Sequence, residues 1–225
     1  MKCSYVVSVH INLTLFVGTV NILEQLSVWV YAQRMNVRET YHHGDLRTAL
    51  VSEGLRQLEA HGEAELSLRA LAKTAGVSPN APYRHFADKR ALLAALAAEG
   101  FRRFAEVIAG AGAGQFPVEV LFAQGRAYLA FASAQPELYR LMFSPYGYSL
   151  NSVSCKTEAE RAFGALVAAT ARAQATGWKS QHGLMAVALA YWGGLHGTVG
   201  LLGDRLLPPE VEAPDVETWL EVYLS

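Results

Sequence analysis

The stretch from Ser67 to Lys89, SLRALAKTAGVSPNAPYRHFADK, concentrates side chains whose chemistry suits a nucleic acid. Asn80, Ala81 and Arg84 are of types that reach base edges, whereas Tyr83, His85 and Lys89 carry donors for phosphate oxygens. Ser67, Arg69 and Ser78 stand at or near the two helix starts within the segment and complete the candidate contact set.

For these groups to act together, the backbone must fold into two short helices with a tight turn between them. Ser67 is a candidate N-cap, and Leu68, Leu71, Ala72 and Ala75 recur at helical spacing as an inner face. Gly76 offers the left-handed conformation that stops a helix, and Val77 fills the angle that follows. Ser78 is a second candidate N-cap, with Pro79 at the first helical position and Pro82 still within the first turn. The pattern predicts a helix-turn-helix whose second helix is short and sharply started, with Phe86 turned into the core.

Charge is distributed to match. Residues Ser67 to Arg90 carry five Lys or Arg against the single acid Asp88, whereas Phe104 to Ser225 carry seven basic and eleven acidic residues. The whole-chain net charge of −1 hides this segregation. A local basic face on an otherwise acidic protein is what phosphate binding requires.

On these residues the chain resembles the TetR family of one-component transcriptional regulators. The resemblance runs from Tyr41 to Phe101: YHHGDLRTAL opening the first helix, LSLRALAKTAGVSPNAPYRHF, then DKRALLAALAAEGF entering a long connecting helix. It implies an all-α fold, with an N-terminal three-helix helix-turn-helix DNA-binding domain and a C-terminal helical ligand-binding and dimerisation domain. It further implies double-stranded operator DNA, a second copy of the chain and a small-molecule effector as partners, and a repressor as the usual role. The stretch Tyr191-Trp192-Gly193-Gly194-Leu195-His196-Gly197 is similar to a Trp…His-Gly motif in the C-terminal domain of one TetR subgroup.

The 225 residues are enough for a small domain joined to a larger one, and 52% hydrophobic against 17% charged residues excludes disorder over most of the chain. Cys3 and Cys155 have no metal or redox spacing, so a reducing, cytoplasmic location is expected. Residues 1–34 are uncharged from Cys3 to Leu23 and are read as a mis-assigned start or disordered extension, the alternatives being a genuine extension or a targeting segment. The expected division is therefore 1–34, a DNA-binding domain over 35–90, and a ligand-binding and dimerisation domain over 91–225.

Everything downstream of residue 38 reads as helix. A first helix ends at His61-Gly62, and a long one capped by Asp88 runs to about Ile108. Further helices open at Pro117 and Pro136, span about Lys156 to Thr176 and about Ser180 to Gly203, and follow Pro214. No charge falls between Lys179 and Asp204, so the helix there is expected to be buried nearly all round. Along it Ala186, Ala190, Gly193, Gly197 and Gly200 alternate at spacings of four and three, a seam of small residues for close helix approach. Each glycine weakens a helix by roughly 1 kcal/mol relative to alanine, so the seam is expected to serve packing. A dimer interface is the reading adopted; packing within the chain and membrane insertion are the alternatives, and no membrane partner is expected.

Beside that seam, Trp192 and His196 are four apart and share a face. Together with Phe122, Tyr128, Phe131 and Met142 they form the candidate ligand-binding set, with Tyr139 and Phe143 nearby. The competing reading is plain aromatic core and a histidine satisfied by a carbonyl. The scarcity of charge in this region favours an uncharged, apolar effector. No metal or other cofactor is expected: His182 and His196 lie about 21 Å apart along one helix, and His42-His43 is a lone pair in an N-terminal arm. No H-E-x-x-H, G-x-S-x-G or phosphate-cradling glycine loop recommends an enzyme. An enzyme with a helical pocket and a membrane-associated helical protein are the alternatives to a DNA-binding regulator.

Overall fold

The computed structural model describes residues 46–112, 116–144, 153–203, 206 and 215–225. The N-terminal segment 1–34, the His42-His43 arm, Gly114 and most of the loop after Ser144 lie outside them. Among the described residues there are eight α-helices, one 3₁₀ turn and no strand: α1 Leu46–Glu65, α2 Leu68–Thr74, the 3₁₀ turn Pro82–Arg84, α3 Lys89–Gly110, α4 Pro117–Ala134, α5 Pro136–Met142, α6 Val153–Gln174, α7 Leu184–Gly203 and α8 Val216–Leu224.

Local chemistry accounts for most of the boundaries. Ser67 caps α2 by accepting from the Ala70 N–H at 3.1 Å, and Asp88 caps α3 by accepting from the Ala91 N–H at 2.7 Å. After α2, Gly76 adopts φ 66° while its N–H reaches the Lys73 carbonyl and the Val77 N–H reaches that of Ala72. These two bonds close the end of the helix, and the left-handed φ suits glycine. At Gly62 (φ 77°) α1 kinks, where the sequence predicts an end, and one further turn carries it to Glu65.

The segment after Ser78 departs from expectation. It is a series of i to i−3 bonds, Ala81 to Ser78, Arg84 to Ala81 and His85 to Pro82, with 3₁₀ geometry over Pro82–Arg84. Pro82 has no N–H to give the Ser78 carbonyl, so the α-helical ladder cannot start there and that carbonyl takes the Ala81 N–H at 2.9 Å. Ser78 is thus held through its carbonyl.

Helix α3 is the axis of the fold. Leu92, Leu93, Leu96, Ala97, Gly100, Phe101, Phe104, Ala105 and Ile108 are all buried, and the helix packs along α6 and against α1, α4 and α5. It begins just after the 3₁₀ turn and runs unbroken into the larger bundle, so a boundary between residues 90 and 91 falls inside one helix. The buried residues form one continuous core from Leu50 to Leu224. Close approaches are made where side chains are missing: a Cβ on Gly100 would come within 2.8 Å of Leu138 and Met142 of α5.

Helix α7 corrects the expectation of burial all round. Only Val187, Ala188, Tyr191, Leu195 and Thr198 are buried, while Met185 is 49% and Leu189 55% exposed. It is long and apolar enough to cross a membrane by length and composition alone. Its buried stripe nonetheless packs on α4, α6 and α8 as a core helix does. The Tyr191 hydroxyl donates to the Leu121 carbonyl at 2.8 Å, beside Gly125. A Cβ on Gly125 would overlap that hydroxyl and a Leu220 methyl. Gly125→Ala is therefore expected to lower stability by about 1–3 kcal/mol, read as a shifted midpoint in urea denaturation.

Candidate functional site

The candidate reading surface is built by burying its back. Phe86 is 2% exposed and Pro82 is buried, which turns the intervening side chains outward. Asn80, Tyr83, Arg84 and His85 are exposed, Ala81 partly so, and Ser67, Arg69 and Ser78 are exposed on and around α2. The Arg47 guanidinium lies 5.5 Å over the Phe86 ring, a further tie between α1 and this segment.

Lys89 sits differently. Its Nζ donates to the Glu63 carbonyl at 2.7 Å and the Ala64 carbonyl at 3.2 Å. These are carbonyls of the turn that follows the Gly62 kink, where the Leu66 N–H also reaches the Glu63 carbonyl at 3.2 Å. Lys89, expected to meet phosphate, here joins the end of α1 to the start of α3. The Lys/carbonyl contact had no local sequence signal, because the two partners are 25 and 26 residues apart.

A second constellation lies in the larger bundle. Tyr128 of α4, Tyr139 of α5 and His196 of α7 converge: the two hydroxyls are 2.8 Å apart, and the imidazole Nδ1 is 2.6 Å from Tyr139 Oη and 3.1 Å from Tyr128 Oη. Aromatic rings enclose the triad. Phe104 and Trp192 pack edge-on against Tyr128 at 5.0 and 5.4 Å, Phe131 packs on Phe104 at 5.1 Å, and Phe143 packs on His196 at 4.7 Å. Met142 is fully buried beside α3. Of the candidate residues, Tyr128, Phe131 and Met142 belong to one buried core, Trp192 and Phe122 pack on it partly buried, and the partly buried His196 meets it through Tyr128 and Tyr139. Phe104 and Phe163, which also touch Trp192, lie on α3 and α6 and were not singled out by the sequence; each is one apolar residue among many on its helix.

Burial pushes the Tyr128 and Tyr139 hydroxyls well above the usual phenol range, so both stay protonated. Burial also lowers the His196 pKa, which keeps the imidazole neutral near pH 7. One more contact ties this cluster to α1, the helix that packs on α2 and the 3₁₀ turn. Glu59 of α1 accepts the Leu138 N–H at 2.7 Å, filling an orphan position in the first turn of α5 one residue before Tyr139. The helix's own N-cap residue, Gln135, makes no side-chain capping bond.

The small-residue seam faces outward. Ala186, Ala190, Gly193 and Gly197 are exposed and Gly200 partly so, and a Cβ at any of the three glycines would meet nothing within 4 Å. Gly194, off the seam, is the glycine of this helix packed inward, against Tyr223.

Two family models match: residues 50–96 match "Bacterial regulatory proteins, tetR family", and residues 121–224 match "Tetracyclin repressor-like, C-terminal domain". A protein of unknown function from Rhodococcus sp. RHA1 is 32% identical, with a TM-score of 0.67 over 82% of this chain and 94% of that one. The chain belongs to the TetR family. Ser67–Lys89 is thus the helix-turn-helix of a TetR-family, DNA-binding transcription regulator. The fold also matches the fatty acid degradation regulator FadR from Bacillus halodurans, at 15% identity and TM-score 0.63, covering 82% of this chain and 97% of that one. AibR in complex with isovaleryl coenzyme A and operator DNA matches at 17% identity and TM-score 0.56, covering 79% and 95%. No curated protein matches significantly.

Two outcomes follow for this TetR-family chain. Lys89→Met removes a charged donor from the carbonyls of α1, so stability should fall by about 1 kcal/mol, seen by thermal denaturation without DNA. The second concerns pH. His196 is held neutral in the fold but titrates near its ordinary value of about 6.5 when unfolded, so the unfolded state binds more protons below that pH. Stability is therefore present above about pH 6.5 and declines as pH falls toward the lowered folded value. Denaturation between pH 7.5 and 5.5 should show this decline, and His196→Gln should flatten it.

Proposed function

We propose that the chain is a cytoplasmic, ligand-responsive repressor that binds palindromic operator DNA as a homodimer and is released by a small apolar effector. The observation that carries the DNA-binding half is the outward display of Asn80, Tyr83, Arg84 and His85 over a buried Pro82 and Phe86. In this reading Asn80 and Arg84 read bases, and Tyr83 and His85 hold phosphate. Ser67, Arg69, Ser78 and Ala81 flank them, and Lys89 supports the head from behind.

The homodimer is supported by the exposed apolar strip of α7, where Ala186, Ala190, Gly193, Gly197 and Gly200 leave room for a second helix backbone. A twofold dimer presents two reading heads to two half-sites, which is why the operator should be palindromic. Effector control is supported by the aromatic cluster around Tyr128, Phe131, Met142, Trp192 and His196, with Phe122 at its margin. Glu59 gives a route to the head, because displacement of Tyr139 would move the α5 turn that this carboxylate caps. AibR, which shares the fold, was crystallised with an acyl coenzyme A and operator DNA. An effector with an apolar portion fits the same logic here, and the role is binding rather than catalysis.

Fluorescence anisotropy with palindromic fragments from the DNA upstream of the coding region tests the reading. Tyr83→Phe should weaken binding to every fragment alike, whereas Asn80→Ala or Arg84→Ala should cost about 1–3 kcal/mol on the preferred sequence and relax preference at one base position. Uniform loss from all three would remove the division between readers and anchors. Gly197→Leu should separate the subunits in sedimentation and weaken operator binding with it; a dimeric variant with normal DNA affinity would show that the interface lies elsewhere.

A further inference from the structure

The hydrogens of the buried triad can be counted. Tyr128 Oη, Tyr139 Oη and His196 Nδ1 lie within 3.1 Å of one another, and Tyr128 is 1% exposed. A neutral imidazole carries one proton, on either Nδ1 or Nε2. With the proton on Nδ1, that nitrogen donates to one hydroxyl, which donates to the other, and the last hydroxyl hydrogen has no acceptor within the triad. Burying it unpaired costs about 1–3 kcal/mol. With the proton on Nε2, Nδ1 accepts one hydroxyl, the second hydroxyl donates to the first, and every hydrogen is placed. The triad therefore selects the Nε2–H tautomer by at least a factor of about five, converting 1 kcal/mol at 1.4 kcal/mol per tenfold.

That leaves one donor directed away from the triad. Among the described residues Nε2 has no hydrogen-bond partner, and His196 is only half-buried, against the Tyr139 and Phe143 rings. Arginines of the surrounding helices are engaged by carboxylates, Arg102 and Arg103 of α3 by Glu99, Arg126 of α4 by Glu217, Arg140 of α5 by Glu137 and Arg161 of α6 by Glu158, while Arg172 stands exposed in the last turn of α6. A charged ligand group would be desolvated here without a countercharge, at a cost of several kcal/mol. We propose that His196 Nε2–H is the polar anchor of the effector site and selects apolar ligands bearing a neutral hydrogen-bond acceptor, such as the carbonyl of a ketone, ester or thioester. This rests on the effector-binding reading above and deepens it.

Two measurements on the full chain test it. ¹⁵N-labelled histidine should show His196 at pH 7 with an unprotonated Nδ1 and a protonated Nε2; an Nδ1–H tautomer or an imidazolium overturns the proposal without any ligand and leaves the effector reading standing. The second measurement follows Trp192 fluorescence with 2-octanone, octane and octanoate as probes. The ketone should bind most tightly, and His196→Phe should weaken it about five- to tenfold while leaving octane unchanged. Equal effects on ketone and octane, or a preference for octanoate, overturn the acceptor assignment while retaining an apolar site. Failure of all three to bind overturns both, and the tautomer measurement on the wild-type chain stands even if the variant does not fold.

Discussion

Helix ends inside a protein leave backbone groups without partners, and in this chain two charged side chains settle such ends across the junction between reading head and bundle. Lys89, at the first position of α3, meets the last carbonyls of α1. Glu59, in the middle of α1, meets a first-turn N–H of α5. Helix α1 is thus bound at its end to the long axis of the molecule and along its side to the short helix that carries Tyr139. Each bond pairs a charged side chain with a backbone group of opposite polarity at a helix end, which makes it stronger than a bond between neutral groups. The helix-turn-helix segment is consequently joined to the bundle by side-chain bonds as well as by the continuous α3.

What α5 can do is limited by its neighbours. It lies tight on α3 at Gly100 and carries one hydroxyl of the buried triad. Buried polar groups are costly when only partly satisfied, so a triad whose members satisfy one another resists displacement of any one of them. Edge-to-face rings on Tyr128 and a tilted ring on Tyr139 restrict the rotation of both phenols. A helix of seven residues is thus held by a cap at one end and by a polar triad in its middle, which is the arrangement that the proposed effector control would use.

Most of the architecture was legible because its signals are local. Ser67 and Asp88 as caps, Gly76 as a stop, and Pro117 and Pro136 as helix starts are each decided within four residues of themselves. The 3₁₀ turn has a cause that a reading of each proline alone does not show: Pro79 removes an N–H that would have no helical partner, but Pro82 removes the one that would close the first α-helical bond to the Ser78 carbonyl. The all-round burial expected of α7 failed for another reason: absence of charge marks a surface that is covered, but not by what. Trp192 and His196 were placed by their four-residue spacing, and Tyr128 and Tyr139 by being aromatic. Glu59 and Lys89 carried no readable sign of their roles, since their partners lie 79 and about 25 residues away and are backbone groups that every residue has.

The same two prolines have a consequence for how such a protein diversifies. Pro79 and Pro82 restrict φ, and Phe86 pins the segment from below, so the path of the reading backbone is set by residues that face away from solvent or lack a donor. Asn80, Ala81 and Arg84 contribute little to that path. They are therefore free to change without unfolding this segment, and under the proposed division of readers and anchors a gene duplicate could drift toward a new binding sequence by exchanging two or three side chains on an unaltered frame. Evolvability of recognition would then be a property of the backbone path that the prolines and Phe86 set.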